Sequence, residues 1–163
     1  MNAHITTRRF VAATLGLTLT AAVCAVGAAS AHDGHGSQRL TSAQTRVIKD
    51  ATRRFRDVNI AVAEGYVPTE ACVALPGEGG MGYHFVNPSL AGDMNIDPTL
   101  PELLLYTKDA RGRWQLAGVE YFKADADQDL TTDADRPTLF GKPFDGPTPG
   151  HAPGMPLHFG LHV

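Results

Sequence analysis

The sequence predicts an α+β domain in which one long N-terminal amphipathic helix packs on a curved antiparallel β-sheet or partial barrel. Three observations carry that expectation: one helical periodicity spans residues 42–64, short alternating apolar runs replace it after Pro68, and turn residues separate those runs. A helix followed by successive strands, rather than strands and helices in alternation, is the order of an antiparallel sheet with its helix on one face.

Residues 1–31 have the parts of a cleavable export signal. Arg8 and Arg9 form a positive start, Phe10 to Val26 is an apolar stretch, and Ala29-Ser30-Ala31 is a small-residue cleavage site. No residue separates the arginine pair from Phe10, which favours general secretion over a twin-arginine route. Polar His32-Asp33-Gly34-His35-Gly36 follows, and no later apolar run is long enough to cross a bilayer. The expectation is an exported protein, periplasmic or extracellular, with no transmembrane span.

Cleavage after Ala31 leaves 132 residues, enough for a single domain over 41–163 behind a flexible His/Gly leader at 32–40. The signal takes two of the 14 Lys and Arg and none of the 17 Asp and Glu, leaving 12 basic against 17 acidic side chains and a formal charge of −5. Such a balance disfavours nucleic acid as a partner, because phosphate binding needs clustered positive charge. Cys24 departs with the signal, so Cys72 is expected as an odd cysteine: an intermolecular bond, a reactive thiol or a missing partner, with a structural thiol or half-cystine favoured over a nucleophile.

Thr41-Ser42-Ala43-Gln44 has the spacing of a capping box, and Val47, Ala51, Phe55, Val58 and Val62 recur on one helical face. Gly65 and Pro68 end the pattern, so one helix is expected from residue 42 to 64, roughly 34 Å long at 1.5 Å per residue. Arg46, Lys49, Arg53 and Arg56 line the opposite, solvated face. Strands are expected at 81–86, 103–107, 114–123 and 157–163, with 108–113 as a hairpin turn and 141–156 as a long loop. Gly77-Glu78-Gly79-Gly80-Met81-Gly82 has the spacing of a dinucleotide-binding loop, but a strand follows where that loop needs a helix, and Glu78 would repel phosphate. Its expected job is a close-packed start to the strand bearing His84.

Period-two sorting of the strands supplies the main functional clue. Trp114, Leu116, Gly118, Glu120 and Phe122 share one face by this count, which sets a carboxylate in an apolar row where it must be paired or protonated. In the last strand Leu157, Phe159, Leu161 and Val163 alternate with His158, Gly160 and His162; earlier, His84 alternates with Tyr83 and Phe85. If these less regular faces look inward, His84, Glu120 and His162 surround a shared cavity, with His158 in reserve. Imidazoles with a carboxylate suit a divalent transition metal such as zinc, copper or iron. His158 and His162 lie about 13 Å apart along a strand, too far to share one ion without a bulge at Gly160. The competing account has these groups simply hydrogen-bonded within the sheet.

Weaker metal candidates are His32 and His35 in the leader, where a free N-terminal amine beside an imidazole would chelate copper, and His151 and Met155 in the Pro-rich loop. Asp125, Asp127 and Asp129 open an acidic loop whose alternation suits calcium. Leu130 stands where an EF-hand needs glycine and Arg136 where it needs its bidentate glutamate, which favours a solvated loop. Ser37, Ser42 and Ser89 lack a nucleophile-elbow setting, and no catalytic motif stands out.

Gly79-Gly80-Met81-Gly82-Tyr83-His84-Phe85-Val86-Asn87, Pro101-Glu102-Leu103-Leu104-Leu105-Tyr106, Leu116-Ala117-Gly118-Val119-Glu120-Tyr121 and Leu161-His162-Val163 resemble segments of a family of exported bacterial proteins of uncharacterised function. Ala63-Glu64-Gly65-Tyr66 is similar too, so the resemblance covers most of the mature chain and implies that His84, Glu120 and His162 lie in shared motifs. Family members continue past the His-Val pair to a late cysteine, which implies a C-terminally truncated chain here and a lost partner for Cys72. The combined expectation is an exported binding protein with an interior His/Glu pocket for a metal ion or small ligand. A metal-dependent enzyme on the same pocket, and an envelope structural or interaction protein without one, are the alternatives.

Overall fold

The computed structural model describes residues 39–75, 79–152 and 154–163. Among these residues three short helices, α1 (Ser42–Thr52), α2 (Val58–Ala63) and α3 (Pro88–Asp93), accompany eight strands. Six of these, β1 (Val67–Leu75), β2 (Gly79–Val86), β3 (Leu103–Lys108), β4 (Trp114–Ala124), β7 (Asp145–Thr148) and β8 (His158–His162), form one sheet in the order β1-β2-β3-β4-β8-β7. Every pairing in it is antiparallel. The remaining two, β5 (Thr138–Leu139) and β6 (Lys142–Pro143), pair only with each other. The α+β class and the antiparallel sheet match the sequence reading; the sheet is open, with β1 and β7 at its edges, so no barrel closes. No described helix is long and apolar enough to cross a membrane.

The single long helix does not form. Its start is as expected, since the Thr41 amide donates to Gln44 Oε1 at 2.8 Å and the Gln44 amide to Thr41 Oγ1 at 3.3 Å. Past Thr52 the chain tightens into a 3-10 turn over Arg53–Arg56, and Asp57 leaves helical space at φ −90°, ψ 107°. The cause lies in the hydrogen bonds at the break. The Asn59 amide, which a continuous helix would direct to the Phe55 carbonyl, donates instead to the Asp57 carboxylate at 3.0 Å, and the Phe55 carbonyl accepts from the Tyr106 hydroxyl at 2.5 Å. The break also rotates the buried face: Ile48, Thr52, Phe55 and Ala61 are covered, whereas Val47 and Val62 are 42% and 53% exposed.

One sheet face carries the apolar core. Phe85, Leu104, Tyr106, Val119, Tyr121, Phe159 and Leu161 pack with Ile48, Phe55, Ala61 and Tyr66 from the helical segment. Between Leu105 and Tyr106 the β3–β4 register slips: Leu105 faces Gly118 but Tyr106 faces Leu116, making Ala117 the extra residue of a bulge. This corrects the sorting of β4. Trp114 and Leu116 turn to the core, where Trp114 meets the rings of Tyr83 and Phe85 at 5.0 and 5.3 Å, and only Gly118, Glu120 and Phe122 keep the opposite face. Gly82 fits its expected role: with φ +85° and a Cβ position only 2.6 Å from the Tyr106 carbonyl oxygen, no side chain is accommodated there.

Alternation gave no sign of β1 and α3, and β6 and β7 occupy the segment expected as loop. Cys72, in β1, is disulfide-bonded, so it is neither an odd thiol nor a nucleophile.

Candidate metal centre

The face opposite the core assembles the site. Register places Glu120 of β4 directly opposite His162 of β8, and places His84 of β2 opposite Leu105, which in turn faces Gly118. Cross-strand partners share a face, so all three candidate side chains project to the same side. Glycines flank the carboxylate on this face: a Cβ at Gly118 would sit 2.9 Å from the Val163 carbonyl oxygen, and one at Gly160 would sit 3.2 Å from Glu120 Oε1, so a side chain at either position would crowd its neighbours.

The three groups converge. One ligand atom each from His84, Glu120 and His162 lies within 4.8 Å of the others, and Nε2 of both histidines is 3.5 Å from Glu120 Oε2. Tetrahedral zinc with bonds of about 2.0–2.1 Å sets its ligand atoms about 3.4 Å apart, which these separations match. His84 and Glu120 are each 4% exposed, whereas the His162 side chain is 44% exposed, so the site meets solvent on the β8 side.

The electrostatics follow from burial. Loss of water, reinforced by the Glu102 carboxylate, pushes Glu120 up to about 8. Burial, with the charges of His162 and His151, pulls His84 down to about 4. His162 is lowered as well, by burial against the sheet and by His151 and His158, partly offset by Asp145. At neutral pH the site therefore holds a protonated carboxyl and two neutral imidazoles with free lone pairs. Among the described residues neither ring nitrogen of His84 has a hydrogen-bond partner. Buried unpaired nitrogens are uncommon, and a cation bound by a lone pair is one way to satisfy such a group.

His158 stays outside this group. No bulge interrupts the β4–β8 register, so it remains at the far end of the strand. Its ring stacks on Phe122 at 5.0 Å, Nδ1 lies 3.2 Å from the Pro156 carbonyl and Nε2 lies 3.4 Å from Thr148 Oγ1. His151 is exposed on the β7–β8 connection, its ring 5.6 Å from that of His158. Met155 is half-buried in the same connection, its amide donating to the Ala152 carbonyl at 3.0 Å. His32 and His35 lie outside the described residues.

The acidic loop is tied up in turns. Asp127 Oδ1 accepts from the Asp129 amide and Oδ2 from Thr132, while Asp129 Oδ1 accepts from the amide and hydroxyl of Thr131. Asp125 differs from both: it is 2% exposed, neither carboxylate oxygen has a hydrogen-bond partner among the described residues, and its burial beside Asp127 and Asp135 raises its pKa. Among the described residues Asp125, Asp127 and Asp129 do not converge as a ligand group.

One buried neighbour of the candidate site escaped sequence reasoning. Glu102 is 1% exposed, accepts from the Phe122 amide at 3.0 Å and is held up to about 7, chiefly by burial. Its only signal was a glutamate set between Pro101 and the apolar run Leu103-Leu104-Leu105. No protein-family model, curated protein or solved structure matches the chain.

Proposed function

We propose that this chain is an exported protein that binds a divalent transition metal ion, zinc, copper or iron, through His84, Glu120 and His162. The observation that carries the reading is the meeting of two imidazoles and a carboxylate from three strands, each imidazole 3.5 Å from the carboxylate, around a buried histidine with no other partner among the described residues. Nitrogen donors with one carboxylate are a borderline set that favours these metals over calcium or magnesium, which prefer oxygen. Export rests on the composition of residues 1–31 and on the resemblance to exported proteins. Glu120 would enter the coordination sphere by giving up its proton, and His84 and His162 would bind through Nε2.

A second reading, a metal-dependent enzyme, draws support from the ligand number. Three protein ligands and a solvent-facing side at His162 are the pattern of sites that keep a water on the ion. What occupies the fourth position separates binding from turnover.

The test is metal content and titration of untagged protein with zinc, copper and iron, beside His84→Ala, Glu120→Gln and His162→Ala. The expected result is one ion per wild-type chain and loss of binding in each variant. Equal metal content in wild type and all three variants would remove the proposal.

A further inference from the structure

We infer that a second, separate ion site, suited to copper(I), is built where the β7–β8 connection meets β8, from His151, Met155 and His158. It does not depend on the centre at His84, Glu120 and His162, because His158 and His162 sit at opposite ends of β8, about 13 Å apart at 3.3 Å per residue. His158 is buried, and its ring is held in one orientation: it stacks on Phe122 at 5.0 Å, and Nδ1 lies 3.2 Å from the Pro156 carbonyl. A carbonyl only accepts, so this contact puts the ring hydrogen on Nδ1 and the lone pair on Nε2. Ligating histidines are commonly oriented in this way through their other nitrogen. The Thr148 hydroxyl lies 3.4 Å from Nε2 and 3.3 Å from the His158 carbonyl, and it has one hydrogen to give. Donation to the carbonyl leaves the Nε2 lone pair for an ion.

His151 supplies the second nitrogen. It is exposed, and its ring centroid lies 5.6 Å from that of His158, with the planes at 58°. Two imidazoles bound to one ion at about 2.0 Å set their centroids about 6.3 Å apart when directly opposed and about 5.5 Å apart at a trigonal angle, and the observed separation matches the trigonal case. A trigonal pair leaves one position for a third ligand. Met155 stands beside it: a Cβ at Gly150 would overlap the Met155 carbonyl oxygen and sit 3.0 Å from the Met155 Cβ, so the bare backbone next to His151 lies directly against residue 155. The Met155 amide closes the turn by donating to the Ala152 carbonyl at 3.0 Å. Its half-buried thioether, on three rotatable bonds, is free to turn toward the two rings. Two imidazoles with a thioether and no carboxylate form a softer set than the first centre, and thioether sulfur selects copper(I).

The test is an oxygen-free titration of copper(I), against a competing colorimetric chelator, into untagged full-length wild type, His84→Ala, His151→Ala and Met155→Leu, with X-ray absorption at the copper edge on the loaded proteins. Neither His151 nor Met155 is buried, so these two variants spare the core. The expected result is one tight equivalent of copper(I), bound to sulfur, that survives His84→Ala. Affinity should fall on the order of 10–100-fold or more in His151→Ala and Met155→Leu, since even groups outside the coordination sphere cost that much. The copper–sulfur signal should vanish in Met155→Leu. Wild-type affinity in either loop variant, copper bound by wild type without sulfur, or no copper(I) binding at all would overturn the assignment. Loss of copper(I) in His84→Ala with retention in His151→Ala would also overturn it, by placing the ion at the other centre. Zinc titrated into the same proteins keeps the two readings apart: its binding should be lost in His84→Ala and persist in both loop variants, and loss of zinc in the loop variants would overturn the separation of the sites.

Discussion

The two faces of the six-stranded sheet handle buried polar groups in opposite ways. On the core face the polar tips of buried rings are satisfied: the hydroxyls of Tyr66, Tyr106 and Tyr121 donate to the carbonyls of Pro101, Phe55 and Pro98 at 2.7, 2.5 and 2.8 Å. On the other face His84 leaves both nitrogens without a hydrogen bond, and the neighbouring Glu120 is buried beside it. An unsatisfied buried group costs about 1–3 kcal/mol, so that face gives up stability where the core face gains it. The contrast teaches where to look for function, because strain of this kind persists where a site requires it.

The largest effect should come from the core face. Phe159→Ala removes a ring with no exposed surface from the apolar cluster and should lower unfolding free energy by about 3–5 kcal/mol in a denaturant titration. A loss under about 1 kcal/mol would mean that the aromatic layer is not the main source of stability.

The pH response sharpens the contrast from the site side. Glu120 is raised from 4.5 to about 8, so its protonated form is favoured in the fold; this contribution to metal-free stability is complete below 4.5 and is lost as pH rises through 8. A cation must displace that proton, while His84, lowered to about 4, is already neutral. Metal affinity measured by calorimetry should therefore rise by up to about tenfold per pH unit until about pH 8 and then level. Affinity independent of pH between 6 and 8, with about zero protons released, would show that Glu120 is not a ligand.

The smallest expected effect has the opposite sign to the first. His84→Leu fills similar volume and removes two unpaired nitrogens, so the metal-free protein should keep or gain about 1 kcal/mol of stability while losing its ion. Destabilisation on the scale of Phe159→Ala would erase the distinction between the faces.

The alternation of β2, β3, β4 and β8 was legible in the sequence, and with it the grouping of His84, Glu120 and His162. Histidines alternating with Phe159 and Leu161 are a local signal that register preserved, whereas of the row read around Glu120 only Gly118 and Phe122 kept its face. The break at Asp57 was not legible, because residues on both sides of it continue the helical spacing, and the carbonyl that Tyr106 captures belongs to a contact 51 residues away in sequence. The bulge at Ala117 was equally hidden: it leaves no residue-type mark, yet it turns Trp114 and Leu116 to the other face. The orphaned state of His84 and Asp125, and the burial of Glu102, depend on which segments cover them, and alternation within one strand does not encode that.

The central claim is tested most directly by anomalous diffraction at the zinc absorption edge from crystals grown with zinc. The account predicts one strong peak between Nε2 of His84, Nε2 of His162 and the Glu120 carboxylate, at about 2.0–2.2 Å from each. A peak located elsewhere on the chain, with these three side chains unchanged and unliganded, would contradict it.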